Sequence, residues 1–250
     1  MDLSHPLGWT PSEPLPPLID VQSHEDGAEL WRTLYGIPLT ALPGGLGLAG
    51  EVFNRLSTHA STHVDAPWHY SPTSGGMPAP TVDEVPLEWC VGRLAILDVS
   101  DLPTGHLITA SEINERLSDG PHDLRAGDVV ALYTGAERAW GTEDFWAIGC
   151  GLGREGVLAL LDQGVRAIGT DAWTLDRPYP LMGQEWRDRH DPDALWPAHF
   201  AGIERAYIQL EKLANLTSVP QTGATIFTFP VKVQNGSAAW TRAVAFVPED

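Results

Sequence analysis

The sequence predicts an α/β fold in a single domain, and three observations carry that prediction. Short apolar runs alternate with amphipathic stretches between residues 91 and 170. The C-terminal part is rich in β-branched and aromatic residues, which favours sheet. A chain of 250 residues with 43% apolar side chains is long enough to bury one sizeable core.

Residues 1–20 hold Pro6, Pro11, Pro14, Pro16 and Pro17. Proline fixes φ and removes a backbone donor, so this stretch is expected as an extended arm lying on the body formed by residues 21–250. Residues 91–99 and 128–133 are apolar runs bounded by turn residues, the pattern of strands buried on both faces. Between them, Ile113 and Leu117 stand four apart behind Thr109 or Ser111 as an N-cap, which predicts a surface helix. Arg154 to Gln163 reads as another helix, stopped by Gly164 and followed by a strand over 165–169. Residues 173–198 carry Pro178, Pro180, Pro192 and Pro197 among aromatic side chains, and predict a long loop able to wall or cover a pocket. Residues 224–229 and 243–247 read as strands, with Asn235-Gly236 as a turn between them.

Fifteen basic residues against 33 acidic ones give a formal charge of -18. Such a chain repels phosphate backbones and anionic membranes, so neither nucleic acid nor a membrane surface is an expected partner. No run of eighteen apolar residues occurs and the first residues lack a basic, then apolar, leader pattern. Cys90 and Cys150 are the only cysteines, without metal or redox spacing. A reducing, cytoplasmic location is the resulting expectation.

The chemistry is concentrated in residues 57–69, where His59, His63, Asp65 and His69 crowd into eleven positions. A helix would swing Asp65 and His69 away from the first two histidines, and Pro67 would break it. In an extended chain all four odd-numbered side chains point the same way. Two imidazoles and a carboxylate suit a borderline cation such as Zn2+ or Mn2+ and leave positions open for water or substrate, as in catalytic rather than structural sites. A second pair, His199 and Glu211, would stand about 18 Å apart on one straight helix. Sharing a site therefore requires a bend, met by a short helix at 201–205 followed by a strand through Tyr207, Gln209 and Glu211. Gly149, Gly151 and Gly153 form a glycine-rich turn with neither the lysine of a phosphate loop nor the full dinucleotide pattern. No serine or cysteine sits in a nucleophile motif.

His59-Ala-Ser-Thr-His-Val-Asp-Ala-Pro-Trp-His69 resembles the motif of the metal-dependent cyclase superfamily, which contains bacterial kynurenine formamidases, isatin hydrolase and aromatic polyketide cyclases. Every ligand position of that motif is kept, and Ser61 stands where the family usually has glycine. The likeness continues through Gly169-Thr-Asp-Ala-Trp173, the His199 and Glu211 pair, and Phe229-Pro-Val-Lys-Val. It implies a swivelling β/β/α fold, with His59, His63 and Asp65 as first ligands, His199 and Glu211 as ligands of a second ion, and His69 as the proton-transfer residue. It also implies a homodimer or higher homo-oligomer, with the arm and loops closing the pocket.

The expected reaction joins a metal-polarised carbonyl to His69, taken with a pKa near neutrality, as acid and base. Ring closure of an aromatic polyketide is the leading expectation, since Trp68, Trp89, Trp173, Trp186 and Trp196 offer aromatic walls. Hydrolysis of a cyclic amide or aryl formamide is the alternative. A relative that binds metal or ligand without turnover is a third reading, against which the retention of His69 speaks.

Overall fold

In the computed structural model, which describes residues 1–248, the proline-rich start runs extended across the body of the protein. Leu3 is fully buried. Its N–H donates to Ala243 O and its carbonyl accepts from Ala214 N–H, both at 2.9 Å. Isolated bridges join Asp2 to Val244 and Ser4 to Leu213. The arm gives way at β1 (Leu18–Gln22), which pairs antiparallel with β2 (Gly50–Arg55). Between them lies α1 (His24–Tyr35), opened by a Ser23–Asp26 capping box and closed by Gly36 at φ 67. This β-α-β piece leaves much of its apolar surface in water, with Val21 71%, Leu34 62% and Phe53 55% exposed.

β3 (His63–Asp65), the single turn α2 (Pro67–Tyr70) and a small hairpin of β4 (Thr73–Ser74) and β5 (Met77–Pro78) come next. The two predicted core strands are β6 (Val91–Asp98) and β8 (Val129–Tyr133). β7 (Leu107–Ile108) and α3 (Ala110–Asp119) lie between them, and Thr109 is the N-cap. Its hydroxyl accepts from Glu112 N–H at 3.2 Å while Glu112 accepts from Thr109 N–H at 2.8 Å, a reciprocal cap that fixes the helix start. β9 (Gly151–Leu152), α4 (Arg154–Asp162) and β10 (Ala167–Thr170) follow, Gly164 ending the helix segment at φ 88.

The stretch expected as a long loop contains α5 (Tyr179–Arg189). Pro178 and Pro180 flank its first residue, where a missing N–H costs nothing because no carbonyl precedes it in the helix. α6 (Pro197–Ala201) is likewise opened by proline. It lies earlier than the helix expected at 201–205, and leads through a turn into β11 (Ile208–Glu211). The C-terminal part supplies β12 (Thr225–Phe227), β13 (Ala238–Trp240) and β14 (Val244–Phe246), each of three residues, with a turn at Asn235, φ 55, between β12 and β13.

Eight strands form one sheet in the order β13-β3-β11-β10-β8-β6-β12-β14. Its centre, β6, β8, β10 and β11, is parallel, and both flanks are antiparallel. Alternation assigns the two faces. Leu94, Ile96, Val129 and Ala131 pack with the C-terminal strands, whereas Ala95, Leu97, Val130 and Leu132 pack beneath α3, α4 and α6 with Ile113, Val157 and Leu160. Each fully buried aliphatic side chain contributes about 1.5–3 kcal/mol by leaving water. No helix among the described residues is long and apolar enough to cross a membrane.

Candidate metal centre

His63 and Asp65 occupy alternate positions of β3, so both face the helical side of the sheet while Val64 enters the opposite core. β3 pairs with β11 so that His63 lies opposite Glu211 and Asp65 opposite Gln209. The strand period therefore brings Glu211 to the same face, with its Oε2 3.6 Å from His63 Nε2.

One strand does not carry all four motif residues, as the sequence pattern suggested. The chain is extended only over His63–Asp65. Ser61 sits at φ 56, in the left-handed region, and turns the backbone so that His59 arrives from a loop. Its N–H donates to Glu13 Oε1 at 2.8 Å, and its hydroxyl lies 2.8 Å from His5 O and 3.2 Å from Pro6 O. These bonds to the arm hold a turn for which glycine would be the easier residue. Pro67 begins a helical turn instead of prolonging the strand, and that turn returns His69 to the pocket. The ring of His69 lies 4.3 Å from that of His59 and 5.3 Å from that of His199.

His199 reaches the cluster from α6, its Nε2 3.9 Å from both Asp65 Oδ2 and Glu211 Oε1. All six residues singled out from the sequence thus border one site. The sequence reading missed Asp176, which is 1% exposed. One carboxylate oxygen accepts from Ala198 N–H at 2.7 Å, and the other holds His199 Nδ1. A carboxylate accepts here, so Nδ1 of His199 keeps a proton and Nε2 is the nitrogen that a cation would take, displacing the second proton of the imidazolium. His63 is fixed in the same sense, since its Nδ1 can only donate to Ser61 O, 2.8 Å away. The glycine-rich turn serves this arrangement. A Cβ at Gly151 would come within 2.1 Å of Arg177 N, so glycine lets the segment carrying Asp176 pass close.

The donor set fits a divalent cation. His63 Nε2 and both oxygens of Asp65 are buried without a hydrogen-bond partner. Asp65 Oδ1 lies 2.8 Å from His59 Nδ1 and 3.2 Å from His63 Nε2, close enough for attraction but misaligned for hydrogen bonding. Two sets of ligand atoms lie within 4.8 Å of one another, His59 with Asp65 and His69, and His63 with Asp65 and Glu211. Asp65 belongs to both, the placement expected of a carboxylate shared between two ions.

Electrostatics show the same demand for positive charge. Burial opposes ionisation of Asp65, but His63, His59 and His69 outweigh it and hold the carboxyl well below its usual range. Burial and the Asp65 charge push Glu211 up. Burial would push His199 down, yet Asp176, Glu211 and Asp65 overcome it and raise the imidazole to about 9. His69 is pulled down to about 4, by burial first and by its histidine neighbours, with Asp65 opposing. It is therefore neutral at physiological pH, below the near-neutral value expected from an ordinary histidine.

The profile of the Cyclase family, described as "Putative cyclase", matches residues 1–177. The chain belongs to this family. Among curated relatives, the kynurenine formamidase of Salinibacter ruber is 30% identical over 201 residues, covering 76% of each chain. The isatin hydrolase of Roseibium aggregatum is 27% identical over 217 residues, covering 78% of this chain and 73% of the relative. A solved isatin hydrolase bound to the product analogue thioisatinate superimposes with a TM-score of 0.75 at 21% identity, covering all of this chain and 92% of that one. The fold is the cyclase fold, and the chain is an enzyme whose named relatives are hydrolases.

In this cyclase-family chain the site opens into a cavity of about 310 Å3 lined by His59, His63, His69, Glu211, Trp173 and Tyr179, with Pro14 and Leu15 of the arm. Of the five tryptophans expected as walls, only Trp173 lines it, its ring 5.0 Å from that of Tyr179 in an edge-to-face contact. Trp68, Trp186 and Trp196 are 46%, 39% and 37% exposed. Glu13 and Lys212 also line the cavity, and neither carries a spacing signal that would have singled it out in the sequence.

Proposed function

We propose that this protein is a metal-dependent hydrolase of a small aryl amide, either a cyclic amide of the isatin type or an aryl formamide. The observation that carries the reading is a buried histidine and carboxylate cluster beside a small aromatic cavity in a family whose curated relatives hydrolyse such bonds. A volume of about 310 Å3 lies at the low end of ligand pockets and suits a molecule of one or two rings. That size favours hydrolysis over closure of an extended poly-β-ketone.

His59, His63 and Asp65 are the proposed ligands of one Zn2+ or Mn2+ ion, and His199 and Glu211, with Asp65 shared, those of a second. The bound metal supplies Lewis acidity toward the amide carbonyl and toward water. Asp176 and Ser61 O hold His199 and His63, respectively, so that each presents Nε2, whereas His59 turns Nδ1 toward Asp65. His69, neutral and beside the ligands, is placed to accept the proton as water attacks and to return it to the departing amide nitrogen. Trp173 and Tyr179 hold the ring of the substrate and keep water from it.

The exposed apolar surface of β1, α1 and β2 supports a homodimer, since a second copy of the chain would cover Val21, Leu34 and Phe53. Two buried free thiols suit a reducing compartment such as the cytoplasm. The function is tested by elemental analysis of the purified protein, then assays with isatin, N-formylkynurenine and a poly-β-ketone mimic. Chelator-sensitive hydrolysis of either amide is the expected result. Turnover of the mimic alone would replace this reading with the cyclase one.

A further inference from the structure

Lys212 follows Glu211 and takes a left-handed backbone at φ 58. This turn ends β11 and sets a lysine against the same cavity as its glutamate neighbour. The side chain is 1% exposed. Its ammonium donates to Glu13 Oε1 at 2.7 Å and to His59 O at 2.8 Å, and stands 4.7 Å from the centre of the Trp173 ring. Two hydrogen bonds and a cation–π contact thus hold the ammonium, and the charge is matched by a carboxylate that is itself only 7% exposed. Glu13 also accepts from Ser61 N–H, so the arm residue that neutralises Lys212 is tied to the ligand loop.

No other lysine or arginine lines the cavity among the described residues. Away from the ligand cluster and the Glu13–Lys212 pair its walls are Pro14, Leu15, Trp173 and Tyr179, with Ser57. A carboxylate on the far side of a bound molecule would leave water without a counter-charge, inside a protein of net charge -18. A neutral ring meets mainly apolar and aromatic surface, and no uncompensated charge is needed to hold it. Resting on the hydrolase reading of this site, we propose that the Glu13–Lys212 pair makes the pocket charge-selective. Its substrate is an aryl amide without a carboxylate, which favours the cyclic amide over N-formylkynurenine with its charged amino-acid tail, and Glu13 is the residue that sets this preference. The arm thereby does more than cover the site, since it cancels the one lysine or arginine charge on the cavity wall away from the ligand cluster.

The test compares binding of indan-1-one, which keeps the fused ring and carbonyl but has no amide to hydrolyse, with binding of its 5-carboxylate to the metal-loaded full chain by calorimetry. The wild type is expected to bind the neutral ring at least about tenfold more tightly, the discrimination set by an uncompensated charge. Glu13→Gln keeps an oxygen acceptor for Ser61 N–H and Lys212 but removes the charge. It is expected to narrow that ratio about tenfold or to reverse it, with metal content unchanged. Equal binding of both rings by the wild type, failure of either ring to bind, or an unchanged ratio in a folded Glu13→Gln protein would overturn the proposal. The wild-type ratio stands as a test even where the variant does not fold. Binding is read without turnover, so an active amide hydrolase that takes both rings equally refutes charge selection alone. A protein that discriminates between the rings but hydrolyses no amide refutes the hydrolase reading alone.

Discussion

Replacing Asp176 with asparagine tests whether a side chain that touches no substrate sets the second metal position. Asp176 spans Ala198 N–H and His199 Nδ1 with its two oxygens. The amide of asparagine has one oxygen, and Ala198 N–H can be satisfied only by that oxygen. Its NH2 then faces His199 Nδ1 and forces that nitrogen to accept. The ring proton moves to Nε2, which lies 3.9 Å from Asp65 Oδ2 and Glu211 Oε1 where a cation would bind. The variant also removes the largest of the charges that outweigh burial to hold His199 at about 9. Loss of such an orienting partner costs about 10- to 100-fold in metal affinity. Competition with a chromophoric chelator, with stoichiometry from elemental analysis, should show one weakened ion and one retained. The buried volume is nearly unchanged, so the thermal midpoint without added metal should move little. Two ions bound as tightly as in the wild type would refute the reasoning, and so would loss of both.

Removing His69 as alanine should spare metal binding and lower kcat roughly 10²- to 10⁴-fold, measured with whichever amide the panel identifies. Metal loss equal to that of His63→Ala would make His69 a ligand instead. Ser61→Val places a β-branched side chain at φ 56 and removes the hydroxyl bonds to the arm, and should lower unfolding free energy by at least about 2 kcal/mol in urea titration. Ser61→Gly exchanges backbone relief for the same lost bonds and should stay within about 1 kcal/mol of the wild type. His5 is stacked 4.0 Å from Trp140, and burial, then the Lys212 charge, lowers it from 6.5 to about 4. The unfolded chain therefore binds the extra proton in that window, and this contribution to stability is complete above pH 6.5 and falls away toward pH 4. His5→Phe keeps the stack and should remove about one proton, roughly 1.4 kcal/mol per pH unit, from the slope of stability there. Phe53→Ser should shift sedimentation toward a smaller species if β2 meets a second copy.

Local signals were legible where a single interaction decides the conformation. The start of α3 could be read as Thr109 or Ser111 because a cap acts within one helical turn, and the reciprocal bond with Glu112 selects Thr109. The strand Val129–Tyr133 could be read as one continuous apolar run because both of its faces are buried. The motif gave the right ligand cluster from a partly wrong geometry, since only His63 and Asp65 follow the strand period. Pro67 broke the helix template as expected, but it opened a new turn rather than extending the strand, a choice set by what lies beyond it. The same ambiguity hid α5, whose prolines read as loop residues until their place in the first turn is known. Asp176 and Glu13 were out of reach for a different reason. They meet His199 and Lys212 across 23 and 199 residues, and no periodicity encodes a contact made by the fold as a whole.

The arm has one more consequence, for the order in which the molecule can be finished. Residues 1–13 leave the ribosome well before their partners, since Leu3 docks between Ala214 and Ala243 and Glu13 waits for Lys212. Until those later segments have emerged, the arm has no berth, and contacts of such long sequence separation form slowly. Ser61, whose strained turn leans on His5, Pro6 and Glu13, cannot settle before then. The ligand loop is thus completed by segments made long after it. A nascent or truncated chain would hold its histidines loosely, and a ribosome stalled before residue 212 should carry a product unable to retain metal at the affinity of the finished protein.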